Sequence, residues 1–299
     1  MTPLNYELVF NTLVSKTREY LESNGIKSMV LGISGGIDST IVAIICNEVF
    51  KQTGISFIGR SLPIKNGSEE FFVSEKVGKV FCKDFKVVNL KDTYSVVSKN
   101  FEKSEVPGTP VSEGNIQARL RMSYLYNLAS INNGIVFSTD NATEYNLGFW
   151  TLHGDVGDFN PLFGLWKTEI YGLAKWIFSE KFDSETEWEE TKALALSISL
   201  TPTDGLGISN SDLEQIGGKS YKEVDSILQE LLAWKKISAE RGDKFSSSKE
   251  MMEAFLKEQT MHDTDPVVID KVVRRHFASE FKRKNLPIVI ERKEYFEGI

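Results

Sequence analysis

The sequence predicts an α/β fold: a doubly wound parallel sheet flanked by helices, with a more helical C-terminal part. Three observations carry this reading. The apolar run Ser28–Ile33 passes through a glycine-rich turn, Ser34-Gly-Gly-Ile-Asp-Ser39, into the apolar stretch Ile41–Cys46. Strand-like and helix-like segments then alternate as far as Ser138, as a parallel sheet requires. From about residue 165 the apolar spacing is helical.

The elements follow in order. Leu8, Val9, Phe10, Leu13, Val14, Tyr20 and Leu21 recur at helical spacing over residues 4–24, and Asn24-Gly25 ends the helix. Residues 28–33 read as a buried strand and 39–51 as a buried helix, stopped at Thr53-Gly54. Strands are expected at 55–59, 85–90 and 135–138, separated by helices over 67–82, 92–103 and 114–131. Val106–Pro110 reads as a loop. Further helices are expected at 166–180, 192–198, 221–234, 249–258 and 266–280. Residues 202–220 read as a loop, 235–250 as a polar, mobile connection, and 281–287 as a basic tail. The whole chain, 1–299, is expected to form one domain.

Composition narrows the function classes. The 299 residues carry a formal charge of −7, and 41% are hydrophobic, enough for a core and too many for a disordered chain. The acidic balance argues against a nucleic-acid partner. No apolar stretch approaches the roughly 20 residues that span a bilayer. Met1–Leu8 has neither a basic n-region nor an apolar h-region. Cys46 and Cys82 have no metal-ligand spacing. The expectation is a cytoplasmic protein.

The turn at 34–39 is the main chemical signal. A glycine-rich turn at a helix N-terminus presents unpaired N–H groups to an anion. Gly35 and Gly36 let the backbone approach, and Ser34 and Ser39 add hydroxyls. Asp38 would repel phosphate unless it holds a Mg²⁺ that bridges to it. The Gly-Lys-Ser/Thr ending of a Walker-type loop is absent, so the turn is read as gripping a leaving pyrophosphate. The turns after strands one, two and four converge on one crevice. That crevice would bring Thr139 and Glu144 opposite Asp38. Two carboxylates beside phosphate oxygens suit Mg²⁺, so Asp38 and Glu144 are the expected metal ligands. A solvated acid at a helix N-terminus is the alternative for Glu144.

Ser34–Ser39 resembles the signature of the N-type ATP pyrophosphatases, which split ATP to AMP and pyrophosphate. Further stretches are similar to the NAD synthetases within that group. Gly114-Asn-Ile-Gln-Ala-Arg-Leu-Arg-Met122 resembles their G-N-x-x-A-R-x-R-M. Ser138–Glu144 with Gly148-Phe149 resembles G-T-D-x-x-E…G-F, with one extra residue. Gly154–Leu162 resembles G-D…D-x-x-P-L. Leu165-Trp-Lys167, Pro202-Thr203 and Lys282-Arg283 match L-x-K, P-[ST] and the end of H-K-R.

The resemblance implies an adenine nucleotide alpha hydrolase-like fold and ammonia-dependent amidation of deamido-NAD to NAD through an acyl-adenylate. ATP and Mg²⁺ would be required, and the protein would be a homodimer with Arg119 near its two-fold axis. It implies ATP binding by Gly32, Ile33, Ser34, Gly35, Gly36, Ile37, Asp38, Ser39, Arg60, Thr139, Lys167 and Thr203. Asp38 and Lys167 would be catalytic. Arg119, His153, Asp158 and Lys282 would hold deamido-NAD. The alternatives are a surface lysine for Lys167, a helix-surface charge for Arg119 and a basic tail for Lys282. Arg60 sits in Arg60-Ser-Leu-Pro63, one residue longer than the family's R-L-P. Leu152 and Phe281 stand where the family has lysine and histidine, with His153 as a substitute cation. His262 and His276 read as ordinary. Two other functions stay open: a different amidating or thiolating ATP pyrophosphatase, or a non-catalytic ATP binder without the dinucleotide site.

Overall fold

The computed structural model describes residues 4–65, 67–104, 107–183, 185–203, 211–261 and 263–284. The first half comprises α1 (Tyr6–Ser23), β1 (Ser28–Gly32), α2 (Ile37–Thr53), β2 (Ser56–Ser61), α3 (Ser68–Phe81), β3 (Asp84–Val87), α4 (Lys91–Ser104), α5 (Pro110–Ile131) and β4 (Gly134–Val136). The second half comprises α6 (Ala142–Leu147), α7 (Lys167–Trp176), α8 (Trp188–Ser199), α9 (Asp212–Ile216), α10 (Tyr221–Arg241), α11 (Ser248–Glu258) and α12 (Pro266–Ala278). A π-helical turn, Ile177–Lys181, follows α7, and a 3₁₀ turn, Glu280–Arg283, follows α12.

The strands are all parallel, in the order β3–β2–β1–β4. Along β1, Met29 and Leu31 point into a core shared with α1, α2, α7 and α8. Val30 points the other way, onto Ile58, Val136 and Ala129 of α5. Burial on both faces is why this strand is a continuous apolar run. The strand order reverses between β1 and β4, and such a switch point opens a crevice at the strands' carboxyl ends. A second core, including Leu147, Val224, Leu228, Phe255 and Val272, joins α6, α10, α11 and α12. Among the described residues no helix is long and apolar enough to cross a membrane.

Several boundaries differ from the sequence reading. Helix α5 starts at Pro110, within the expected loop, because Thr109 caps it and proline occupies its first turn. The expected strand 85–90 is only Asp84–Val87. Helix α10 runs on to Arg241 through the segment expected to be mobile, with Ser238 buried and hydrogen-bonded to Asp243 at 2.8 Å. The expected loop 202–220 contains α9, and α6 appears where no helix was expected. Residues 204–210, His262 and 285–287 lie outside the described residues.

Candidate active site

The glycine-rich turn at 34–39 joins β1 to α2. Gly35 has φ +89°, and a Cβ there would meet the Ser74 amide nitrogen at 2.7 Å. Only glycine suits that conformation and that approach. The Gly35 carbonyl accepts from Ser197 Oγ at 2.6 Å, and the Gly36 carbonyl accepts from Thr40 Oγ1 and Ser39 Oγ, each at 3.0 Å. The Ser34 hydroxyl pairs with that of Ser39 at 2.9 Å. Gly36 offers no side-chain cap to α2, so the helix start suits an anion.

Across the switch point, Asn141 and Glu144 cap α6 reciprocally. Glu144 N donates to Asn141 Oδ1 at 3.0 Å, and Asn141 N donates to Glu144 Oε2 at 3.3 Å. That is a capping box. Asn141 Nδ2 also donates to Asp38 Oδ1 at 2.9 Å. Lys167 closes the group: its Nζ lies 2.5 Å from Asp38 Oδ2 and 2.9 Å from Glu144 Oε1. Its own helix is set by Asp225 of α10. Thr143 Oγ1 donates to Asp225 Oδ1 at 2.5 Å and accepts from Lys167 N at 2.9 Å, while Thr168 N and Oγ1 donate to Asp225 Oδ2.

The Lys167 side chain is 2% exposed. Burial opposes its charge, but Asp38 and Glu144 raise its pKa well above the ordinary lysine value. Burial also pushes Glu144 upward, with Lys167 opposing and Asp38 and Asp140 adding to the rise. Asp140 is pushed up to about 6 by burial, against the hydrogen bond from Ser138. Asp155 opens onto the cavity yet is surrounded by protein; burial pushes it up to about 7, and Asp140 adds to the shift.

These groups line one cavity of about 670 Å³. Of the expected ATP residues, Gly32, Ile33, Ser34, Gly36, Ile37, Asp38, Ser39, Arg60, Thr139, Lys167 and Thr203 line it, and buried Gly35 supports the turn from behind. The Arg60 guanidinium is committed to Gly59 O and to Asp84, 3.0 Å from its carboxylate. The Thr203 hydroxyl donates to Glu70 Oε1 at 2.8 Å.

The expected acceptor residues divide. Lys282 lines the cavity, whereas Arg119, His153 and Asp158 lie outside its wall. Arg119 is exposed and donates to Leu152 O at 3.2 Å. Asp158 accepts from Tyr126 Oη at 3.0 Å and from Val136 N at 2.9 Å, bracing the edge of β4. His153 is exposed, with φ 56°. His276 is buried with Nδ1 3.0 Å from Asn146 O, and burial lowers its pKa to about 3. Cavity residues missed in the sequence include Asp140, Arg121, Asp155 and Arg275. The first three stand inside the quoted motifs. Arg275 carries no motif signal.

The carboxylates suit a hard cation. Among the described residues no three His, Cys, Asp or Glu side chains form a closed metal site. Mg²⁺ typically takes one or two carboxylates and completes its shell with phosphate oxygens and water. Asp38 and Glu144, already holding a cation in Lys167, fit that demand.

A family model described as NAD synthase matches residues 9–285. The chain belongs to the NAD synthase family. The NH(3)-dependent NAD(+) synthetase of Fusobacterium nucleatum is 30% identical over 291 residues, covering 97% of this chain and 98% of that protein. Its counterpart from Finegoldia magna is 31% identical, covering 75% of this chain and 85% of that protein. Among solved structures, NMN synthetase from Francisella tularensis superposes with TM-score 0.71 at 23% identity, covering 97% of this chain and 100% of that one. NH3-dependent NAD synthetase from Campylobacter jejuni superposes with TM-score 0.66 at 23% identity, with the same coverage. These two show that the NAD synthase fold extends over nearly the whole chain.

Proposed function

We propose that this chain is an ammonia-dependent ligase that converts deamido-NAD to NAD, with AMP and pyrophosphate as the other products. The observation that carries the reading is Lys167 between Asp38 and Glu144, beside an uncapped phosphate turn, in a chain of the NAD synthase family. ATP lies with its phosphates along 34–39. The nicotinate carboxylate of deamido-NAD attacks the α-phosphate and pyrophosphate leaves. Ammonia then attacks the acyl carbon, and AMP departs with the oxygen.

Mg²⁺ held by Asp38 and Glu144 would neutralise phosphate charge. Lys167 is positioned to stabilise charge on the departing pyrophosphate. The N-terminus of α2 adds backbone donors to the same charge. Asp155, near neutrality in its pKa and open to the cavity, is suited to take a proton from the attacking nitrogen. Positioning and electrostatics account for the chemistry without a covalent nucleophile.

We also read the chain as one functional domain located in the cytoplasm and acting as a homodimer. A second copy packed on α5 would bring Arg119, His153 and Asp158 toward the acceptor. Sedimentation giving a monomer at micromolar concentration would remove that part.

Incubation with ATP, Mg²⁺ and ammonium, with and without deamido-NAD, tests the function. The expected result is acceptor-dependent pyrophosphate and NAD. Pyrophosphate released only with another acceptor, or ATP binding without turnover, would overturn it.

A further inference from the structure

Helix α7 begins at Lys167 without a local side-chain cap. Its N-cap residue is Trp166, whose side chain makes no capping hydrogen bond. The first N–H groups of a helix need partners where they are buried, and Lys167 is buried. Those partners come from two other helices. Lys167 N donates to Thr143 Oγ1 of α6 at 2.9 Å, and Thr168 N donates to Asp225 Oδ2 of α10 at 3.0 Å. Thr168 Oγ1 donates to the same oxygen at 2.8 Å, and Thr143 Oγ1 donates to Asp225 Oδ1. One carboxylate, 57 residues along the chain from Thr168, therefore supplies the cap that the local sequence lacks.

Asp225 is 2% exposed. Burying a carboxylate is costly unless donors meet its charge. Here Thr143 and Thr168 meet it, and the N-terminus of α7 favours a negative charge beside it. The two oxygens face different helices. Thr143 precedes Glu144 and Thr168 follows Lys167, so α10 sets how α6 and α7 meet at these residues. Helix α6 has six residues, too few to hold its place unaided. Tyr221 lies one turn before Asp225 on the same face of α10, with its ring centre 5.6 Å from Lys167 Nζ. Helix α10 thus reaches the backbone of Lys167 through Asp225 and its ammonium through Tyr221. Asp225 itself is outside the cavity wall.

We propose that Asp225 is a positioning residue for the reaction. It fixes the start of α7 against α6, and so keeps Lys167 Nζ between Asp38 and Glu144 at the leaving phosphates. The inference rests on Lys167 acting on the departing pyrophosphate, as argued above. A catalytic group displaced by about 1 Å can lose on the order of 10²-fold in rate.

Steady-state pyrophosphate release from ATP, with deamido-NAD and ammonium, is measured for wild type, Asp225→Asn and Thr168→Val. Asparagine keeps the shape but accepts hydrogen bonds at one end only. Valine removes one donor and leaves the carboxylate in place. Asp225→Asn is expected to lower kcat about 10- to 100-fold. KM for ATP and for deamido-NAD should stay within about twofold of wild type. Thr168→Val should lower kcat in the same way by a smaller factor. A double-mutant cycle separates positioning from general loosening. In the Lys167→Ala background, Asp225→Asn should cost less than about threefold in kcat, because the group it positions is gone. An equal loss in both backgrounds, or a rise in both KM values, would mean a merely structural role and would overturn the proposal. Wild-type kcat in Asp225→Asn would also overturn it. If Asp225→Asn does not fold, Thr168→Val carries the same cycle, and wild-type kcat there is the overturning result. If wild type releases no pyrophosphate with deamido-NAD, the functional reading fails and this inference with it.

Discussion

Lys167 balances two carboxylates that would otherwise repel each other across the switch point. Replacing it with alanine would remove the cation that we propose faces the departing pyrophosphate. Lys167→Ala is expected to lower kcat about 10²- to 10³-fold, the usual cost of one preorganised electrostatic contact. Pyrophosphate release measures it, and a rate near wild type would exclude Lys167 from the chemistry. Asp140 supplies a stability test. Its folded pKa is about 6, above the unfolded aspartate value near 3.9. Below pH 4 the carboxyl is protonated in both states. As the pH rises toward 6 the unfolded chain ionises first, so the native state loses relative stability. Asp140→Asn escapes that loss. Its Tm minus that of wild type should rise between pH 4 and pH 7, and a flat difference would refute the shift. Asp38, Glu144 and Lys167 were legible as residues because each stands in a patterned stretch. Arg275 was not, since only its position over Phe149 distinguishes it from any other charge on α12.

Two short elements set the geometry of these side chains. The turn into α2 depends on Gly35, and any Cβ there meets the backbone of α3. Gly35→Ala should destabilise the protein by more than about 1 kcal/mol, as urea denaturation would read, and should weaken ATP binding. An unchanged midpoint would show that α3 yields easily. The turn was evident from the sequence because glycine, serine and aspartate after an apolar strand are a local signal. Helix α6 was not, although Asn141 and Glu144 are a good capping pair. Its six residues are too few to show periodicity, and it stands by packing on α10 and α12.

At the scale of the molecule, the parallel sheet brings residues about a hundred positions apart to one crevice. The hydrogen bond between Asn141 and Asp38, 103 residues apart, is one such case. ATP with Mg²⁺ should bind this assembled site and not the unfolded chain. At a hundred times Kd that linkage is worth about 2.7 kcal/mol, a rise in Tm of several degrees. Differential scanning fluorimetry measures it. No rise at saturating ATP would argue against the cavity as the ATP site.

The amino-acid sequence determined the alternating α/β order, the glycine-rich turn and the carboxylates that flank it. Those are local patterns of periodicity, capping and chain reversal, and they survive without knowledge of long-range contacts. The tertiary structure alone decided which charges face one another. It put Asp225 of α10 under Lys167, turned Asp158 and Arg119 out of the cavity, and laid Arg275 on Phe149. These placements follow from how helices pack on the two faces of the sheet. Burial and partner identity, which set each group's charge, arise only when that packing is complete.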